Sequence, residues 1–188
     1  MTETLPASRT LQGVTIRGYR PSDHNACRRL WAELIEHRNR LFGQPVDGET
    51  DAGAGFEEYL TQLNLSGMWV ADQRDSGVCG FIGLMLEGRS GEVDPVVVTS
   101  SMRGQGIGRA LLGKVADESR RRGLRRLAVS PPVRDVSALR ALHTAGFATL
   151  ASVTVSYDLS DSREFGGSKG TPSRAGSTLE LFDLRFGV

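Results

Sequence analysis

The alternation of apolar and polar side chains divides this chain into short strands and amphipathic helices. Val14-Thr15-Ile16-Arg17 alternates with the period of a half-buried strand. Pro21-Ser22-Asp23 then starts a helix, with Ser22 or Asp23 as its cap, and Leu30, Trp31, Leu34 and Ile35 give it an apolar face as far as about Asn39. Gly43 to Gly55 is glycine-rich and acidic, a loop composition. Phe56, Tyr59, Leu60 and Leu63 fall on one side of a second helix over Phe56 to Leu65. Three strands follow, Met68 to Ala71, Cys79 to Leu86 and Glu92 to Val98, joined by turns at Asp75-Ser76-Gly77 and Arg89-Ser90-Gly91. A third helix, from about Gly104 to Arg122, carries the stripe Ile107, Leu111, Leu112, Val115 and Ala116 and ends at Gly123. Leu127-Ala128-Val129 is a fifth strand, Pro131-Pro132 breaks the chain, and Val136 to Thr144 is a fourth helix. Leu150 to Leu159 and Thr178 to Phe186 are the last two expected strands, with a Gly- and Ser-rich loop from Ser160 to Ser177 between them.

The chemistry concentrates at one junction. The β-branched run Val96-Val97-Val98 leads into Arg103-Gly104-Gln105-Gly106-Ile107-Gly108, which opens the third helix. Glycines let a ligand approach the backbone closely, and the first turn of a helix has N–H groups with no internal partner and a partial positive charge. Together they make a seat for phosphate oxygens. A dinucleotide fingerprint, G-x-G-x-x-G, fails because Arg109 occupies the third glycine position. A P-loop fails because Val115 follows Lys114 where a metal-binding hydroxyl is required. The pattern [QR]-x-x-G-x-[GA] is met by Arg103, Gly106 and Gly108.

On these residues, from Val98 to Leu112, the chain resembles the GNAT superfamily of acetyl-CoA-dependent N-acetyltransferases. Asp135-Val136-Ser137-Ala138 and Ala145-Gly146-Phe147 resemble a second segment of that family, N-x-x-A…G-F. The resemblance implies an α/β (α+β) GNAT fold: a mixed central sheet of about seven strands, splayed between strands four and five and flanked by about four helices. It implies acetyl-CoA as cosubstrate, its pantetheine arm paired with the backbone of Val96 to Val98 as an added strand. The pyrophosphate rests on the N–H groups of Gln105, Gly106, Ile107, Gly108 and Arg109, beside Gly104, with Arg103 and Arg109 adding charge-assisted contacts. Ser130 faces the other side of the gap. Asp135 stands where relatives have an Asn that touches the arm. Asp cannot donate as Asn does, so it either lies near the arm or caps the helix beginning at Val136.

The implied reaction is transfer of an acetyl group to a primary amine by direct attack, without a covalent enzyme intermediate. An alkyl amine has a pKa near about 10, so a base helps at neutral pH. Glu92 and Asp94 are the candidates. They lie two apart, on the same face as Val96 and Val98 if the strand is regular. Pro95 cannot donate to a ladder, which predicts a bulge there that can change this facing. Counting back from Gly146-Phe147, the family's Tyr position holds Leu142, which leaves Tyr157 or His143 as proton donors to the thiolate, Tyr19 after them, or water. That departure keeps a second reading open, a GNAT-fold acyl-CoA-binding module with little or no turnover. The acceptor is expected between Glu36–Phe56 and the last two strands, where His37, Arg38, Asn39 and Arg40 lie with Asp47, Glu49 and Asp51.

With 188 residues, 23 Lys and Arg against 22 Asp and Glu, and a formal net charge of +1, the chain has no global field for nucleic acid or membrane surfaces. Arg120-Arg121-Arg122 and Arg125-Arg126 read as a solvated helix end ahead of an RNA contact. Cys27 and Cys79, with His24, His37 and His143, have no metal-ligand spacing, so no metal is expected. No membrane-length apolar run or signal peptide is visible, and the expectation is a cytoplasmic protein. Residues 1–12 read as a disordered leader and 13–188 as one domain. The loop near 160–177 is long enough for the final strand to cross to a second subunit, so a homodimer stays open.

Overall fold

The computed structural model describes residues 13–43, 51–152, 154, 178–181 and 184–187. The elements are β1 (Val14–Gly18), α1 (His24–Phe42), α2 (Gly55–Gln62), β2 (Met68–Gln73), β3 (Gly77–Glu87), β4 (Ser90–Val98), α3 (Ile107–Arg121), β5 (Arg126–Val129), α4 (Val136–Thr144), β6 (Thr178–Leu181) and β7 (Leu184–Gly187). The first five strands form one mixed sheet in the order β1-β2-β3-β4-β5, antiparallel except for the parallel β4–β5 pair, and β6 and β7 form a separate antiparallel pair.

The predicted elements from β1 to α4 are found with shifted ends. Strands β2 to β4 are each longer than their apolar runs, because paired polar residues continue the ladder. The α3 helix starts at Ile107, since Gly104 and Gly106 have φ of 76° and 86°, outside helical space. The expected single strand over Thr178 to Phe186 is two strands, β6 and β7. Leu150 to Ser152 are not strand, and the rest of the expected sixth strand, apart from Thr154, lies outside the described residues. So do the leader, the 160–177 loop and Tyr157.

Each face of the sheet builds its own core. Trp69, Ala71, Ile82, Leu84 and Val93 pack against Ile107, Leu111, Leu112 and Val115 of α3 and Leu142 of α4. Met68, Val70, Phe81 and Val97 pack on the other face against Cys27 and Leu30 of α1 and Phe56 and Tyr59 of α2. Both cysteines are buried free thiols, and burial pushes Cys27 up to about 12. The arginine cluster is a helix end: Arg120 pairs with Asp117, and Arg121 and Arg122 pair with Glu118.

An ion pair ties the start of α1 to the sheet. Arg17 donates through both terminal nitrogens to the buried Asp23, at 2.7 and 2.8 Å, and through Nε to Asp72 at 2.8 Å. The Arg17 guanidinium, helped by the Arg20 N–H and opposed by burial, holds the Asp23 carboxyl below its usual range. A depressed carboxylate stabilises the fold above its unfolded pKa, and the contribution is lost as pH falls through the folded value. Asp23→Ala is expected to cost about 2 kcal/mol at neutral pH, below the full cost of breaking a buried pair because Arg17 keeps Asp72. Urea denaturation should show this gap closing in acid; a gap that persists at pH 2 would count against the pair as its source.

Candidate functional site

The two halves of the site meet where β4 and β5 part. Their pairing runs only from Ser90↔Arg126 to Val93↔Val129. Ser130-Pro131-Pro132 then leads the chain away, and two prolines have no N–H with which to continue a ladder. On the other side β4 stays paired with β3 as far as Val98. In an antiparallel ladder, alternate residues turn both backbone groups toward the same neighbour. Thr99 donates to the Cys79 carbonyl at 2.9 Å, so Val97 faces β3 in the same way. Val96 and Val98 therefore present N–H and C=O away from β3, into the gap that β5 has left. Val97 is not brought to the gap, because its backbone faces β3 and its side chain is buried on the α1 and α2 face.

The glycine turn closes one end of this gap. Gly106 precedes α3, and the first backbone bond of the helix runs from Ala110 to the Gly106 carbonyl at 3.0 Å. The N–H groups of Ile107, Gly108 and Arg109 lie in the turn that a helix leaves without internal acceptors. Arg103 and Arg109 are exposed beside them, and Arg103 Nε donates to the Val98 carbonyl at 3.0 Å, which ties the guanidinium to the free strand edge. Glu33 of α1 fixes the connection, accepting from Thr99 Oγ1 at 2.9 Å and from the Ser100 N–H at 3.0 Å.

The bulge predicted at Pro95 is present. Ile82 pairs with Val96 but Leu84 pairs with Val93, so Asp94 and Pro95 together oppose Gly83. The extra residue corrects the expectation that Glu92 and Asp94 share a face with Val96 and Val98. Val93 packs with α3 whereas Val97 packs with α1 and α2, so the strand changes facing between them. The two carboxylates look toward α1 and α2, while Val96 and Val98 pack toward α3. Asp94 lies 3.9 Å from Arg38 of α1 with its side chain half exposed. Partial removal from water raises the Asp94 carboxyl above its usual range; Arg38 opposes the shift and the Glu92 charge adds to it. Glu92 accepts from Ser130 Oγ at 2.8 Å, a bond that spans β4 and the end of β5. Tyr59 of α2 reaches the same place, its hydroxyl donating to the Asp94 carbonyl at 2.7 Å.

Asp135 is a helix cap. Its Oδ1 accepts from the Ala138 N–H at 2.9 Å and Ser137 Oγ at 2.7 Å, and its Oδ2 meets His37 Nε2 at 2.8 Å. Burial works to raise this carboxyl, and the donors from Ala138, Ser137 and His37 outweigh it, so it lies below its usual range. Both oxygens are engaged, so Asp135 fills the capping role, one of the two expected of it. Leu142 is buried in the α3-side core, so no polar group stands at that position. Asp51 pairs with Arg28, as does Glu57, which neutralises part of the acidity expected near the acceptor; Asp47 and Glu49 lie outside the described residues. Among the described residues no cluster of three or more His, Cys, Asp or Glu could hold a metal, and no helix is long and apolar enough to cross a membrane.

The sequence reading missed Glu33, His37 as a partner of Asp135, Tyr59 as a polar residue, and Gly83. Each acts across a long stretch of chain, and only the lone glycine within an apolar strand run offered a local signal.

Residues 26–147 match the model of the Acetyltransferase (GNAT) family. No curated protein matches the chain. Among solved structures, a GNAT-family acetyltransferase from Staphylococcus aureus Mu50 is 20% identical with a TM-score of 0.57, over 71% of this chain and 83% of that one. An acetyltransferase from Trypanosoma brucei is 22% identical with a TM-score of 0.55, over 78% and 99%. An aminoglycoside N-acetyltransferase in complex with CoA is 17% identical with a TM-score of 0.55, over 78% and 95%. At such identities the likeness carries the fold.

Proposed function

This chain belongs to the GNAT family of acetyltransferases, and from that premise we propose that it moves an acetyl group from acetyl-CoA to a primary amine by direct attack, with no covalent enzyme intermediate. The observation that carries the reading is the free edge of β4. Val96 offers its N–H and C=O and Val98 its N–H in a gap that ends at the glycine turn and the start of α3, with the Val98 carbonyl held by Arg103. A pantetheine arm has amides at a spacing suited to such an edge, and its diphosphate suits the helix N–H groups and the arginines. Acetyl-CoA supplies the activated thioester. The protein's own work is to hold it extended along β4 and to receive the amine on the α1 side of the bulge.

Asp94 is positioned to take the amine proton, and its raised carboxyl brings it closer in basicity to the group it must deprotonate. Glu92, tied to Ser130, is the second carboxylate on that face. With Leu142 in place of a phenol, the departing thiolate takes its proton from water, which a thiol pKa near about 8.5 allows. Placing amine and thioester together carries most of the rate.

The test is release of free CoA thiol from acetyl-CoA across a panel of amines: a polyamine, an aminoglycoside, free amino acids and lysine peptides. Turnover with any of them is the expected result. Tight CoA binding with no turnover on the whole panel, unaltered by Glu92→Gln or Asp94→Asn, is what the acyl-CoA-binding alternative requires, and buried Leu142 is the observation in its favour.

A further inference from the structure

One polar contact crosses from α2 to the bulge. Tyr59 is 5% exposed, with its ring against Trp31 and Phe56 at centroid distances of 4.9 and 6.2 Å. Its hydroxyl ends on the Asp94 carbonyl. The path exists because β3 has no side chain at the facing position: a Cβ on Gly83 would fall 1.7 Å from the Tyr59 hydroxyl oxygen and 2.6 Å from the Asp94 carbonyl oxygen. Burial raises the Tyr59 phenol, so this hydroxyl remains a donor at any physiological pH.

We propose that Tyr59 and Gly83 form a positioning device for catalysis: the hydroxyl pins the Asp94 carbonyl in the bulge and thereby holds the Asp94 carboxylate toward α1, where the acceptor amine is deprotonated. The proposal rests on the reading of Asp94 as the base. Bulge residues are the ones a ladder holds least, since the extra residue has no partner of its own. Carbonyl and side chain turn about the same Cα, so a carbonyl free to rotate frees the carboxylate. The charged and titratable groups facing Asp94 are Arg38 from α1, Tyr59 from α2 and Glu92 on its own strand; β3 contributes only glycine. Tyr59 thus acts without touching the reacting atoms, and a misplacement on the order of 1 Å at such a base costs about 100-fold in rate.

Tyr59→Phe removes only the oxygen and keeps the aromatic packing. The expected result is a folded protein with an unchanged KM for acetyl-CoA, kcat lower by about 10- to 100-fold, and the acid limb of the kcat profile moved to lower pH as water reaches the loosened carboxylate. In an Asp94→Asn background the same change should cost little, because the group being positioned is already gone. A second readout needs no turnover. Carboxyl 13C titration of the ligand-free protein should place Asp94 lower in Tyr59→Phe than in the parent. An unmoved Asp94 titration overturns the positioning role even if the protein proves to be a binder, whereas a moved titration with no turnover in the parent overturns only the proposed reaction. Equal losses in both backgrounds with no change in pH profile, or a Tyr59→Phe chain that no longer melts cooperatively, would make Tyr59 a fold residue and end the proposal.

Discussion

Gly108→Val is expected to fold like the parent and to bind coenzyme A at least about 100-fold more weakly. Isothermal titration and thermal melting with and without CoA measure both halves of that statement. The position is unusually clean. A Cβ on Gly108 would meet only Val98 Cγ2, at an ordinary 3.8 Å, and valine is a slightly better helix former than glycine by a few tenths of a kcal/mol. The new branches stand between the first turn of α3 and the free edge of β4, the space the diphosphate must enter to reach the helix N–H groups. Two charge-assisted hydrogen bonds lost at about 1.5–3 kcal/mol each give 100-fold or more. Gly106 is the poorer site for this test, because its φ of 86° makes any side chain strained whether or not a ligand binds there. A folded Gly108→Val protein with parental affinity would remove the glycine turn as the CoA seat.

The contrast between Gly108 and Tyr59 explains which parts of the site the sequence reveals. Strand, glycine turn and helix start are contiguous, so their residue types and spacing carry the geometry directly, and Pro95 announces the bulge because proline lacks a ladder donor. The consequence of that bulge is not local. Whether Glu92 faces α1 or α3 depends on how β4 registers against β3, and one inserted residue reverses every side chain beyond it. The pairs that fix the site are farther apart still, Tyr59 with Asp94, Thr99 with Glu33 and His37 with Asp135. A tyrosine or histidine on an amphipathic helix reads as a face residue until the partner strand is known. Asp135 shows the converse: its local sequence supports a cap, and the His37 bond confirms that its remaining oxygen is engaged too.

The bulge also separates two tasks that a regular strand would put on one face. Backbone groups of Val96 and Val98 open into the gap while the carboxylates of Glu92 and Asp94 turn to the opposite side from the Val96 and Val98 side chains. On the proposed reading, a thioester lying along the edge would present its carbonyl at the bulge, beside carboxylates set on the other side from the Val96 and Val98 side chains. That separation predicts mutations that divide cleanly between binding and rate.

Asp94→Asn is accordingly expected to lower kcat by about 10²- to 10⁴-fold, the range for loss of a positioned general base, while CoA affinity stays within about twofold. Asparagine keeps the size of the side chain and its place near Arg38, so the change removes proton acceptance and little else. Glu92→Gln should cost less, about tenfold or under, since glutamine still accepts from Ser130. The pH profile supplies the sign. Asp94 is raised by its partial removal from water and by Glu92, so the parent rate should fall as pH drops through a value above the ordinary Asp pKa of about 3.9. That acid limb should be absent from the residual activity of Asp94→Asn and present in Glu92→Gln. Steady-state rates from pH 4 to 9 with a saturating amine decide the assignment: a limb that survives in Asp94→Asn and vanishes in Glu92→Gln transfers the base to Glu92, and parental rates in both variants leave neither carboxylate with a role in proton transfer.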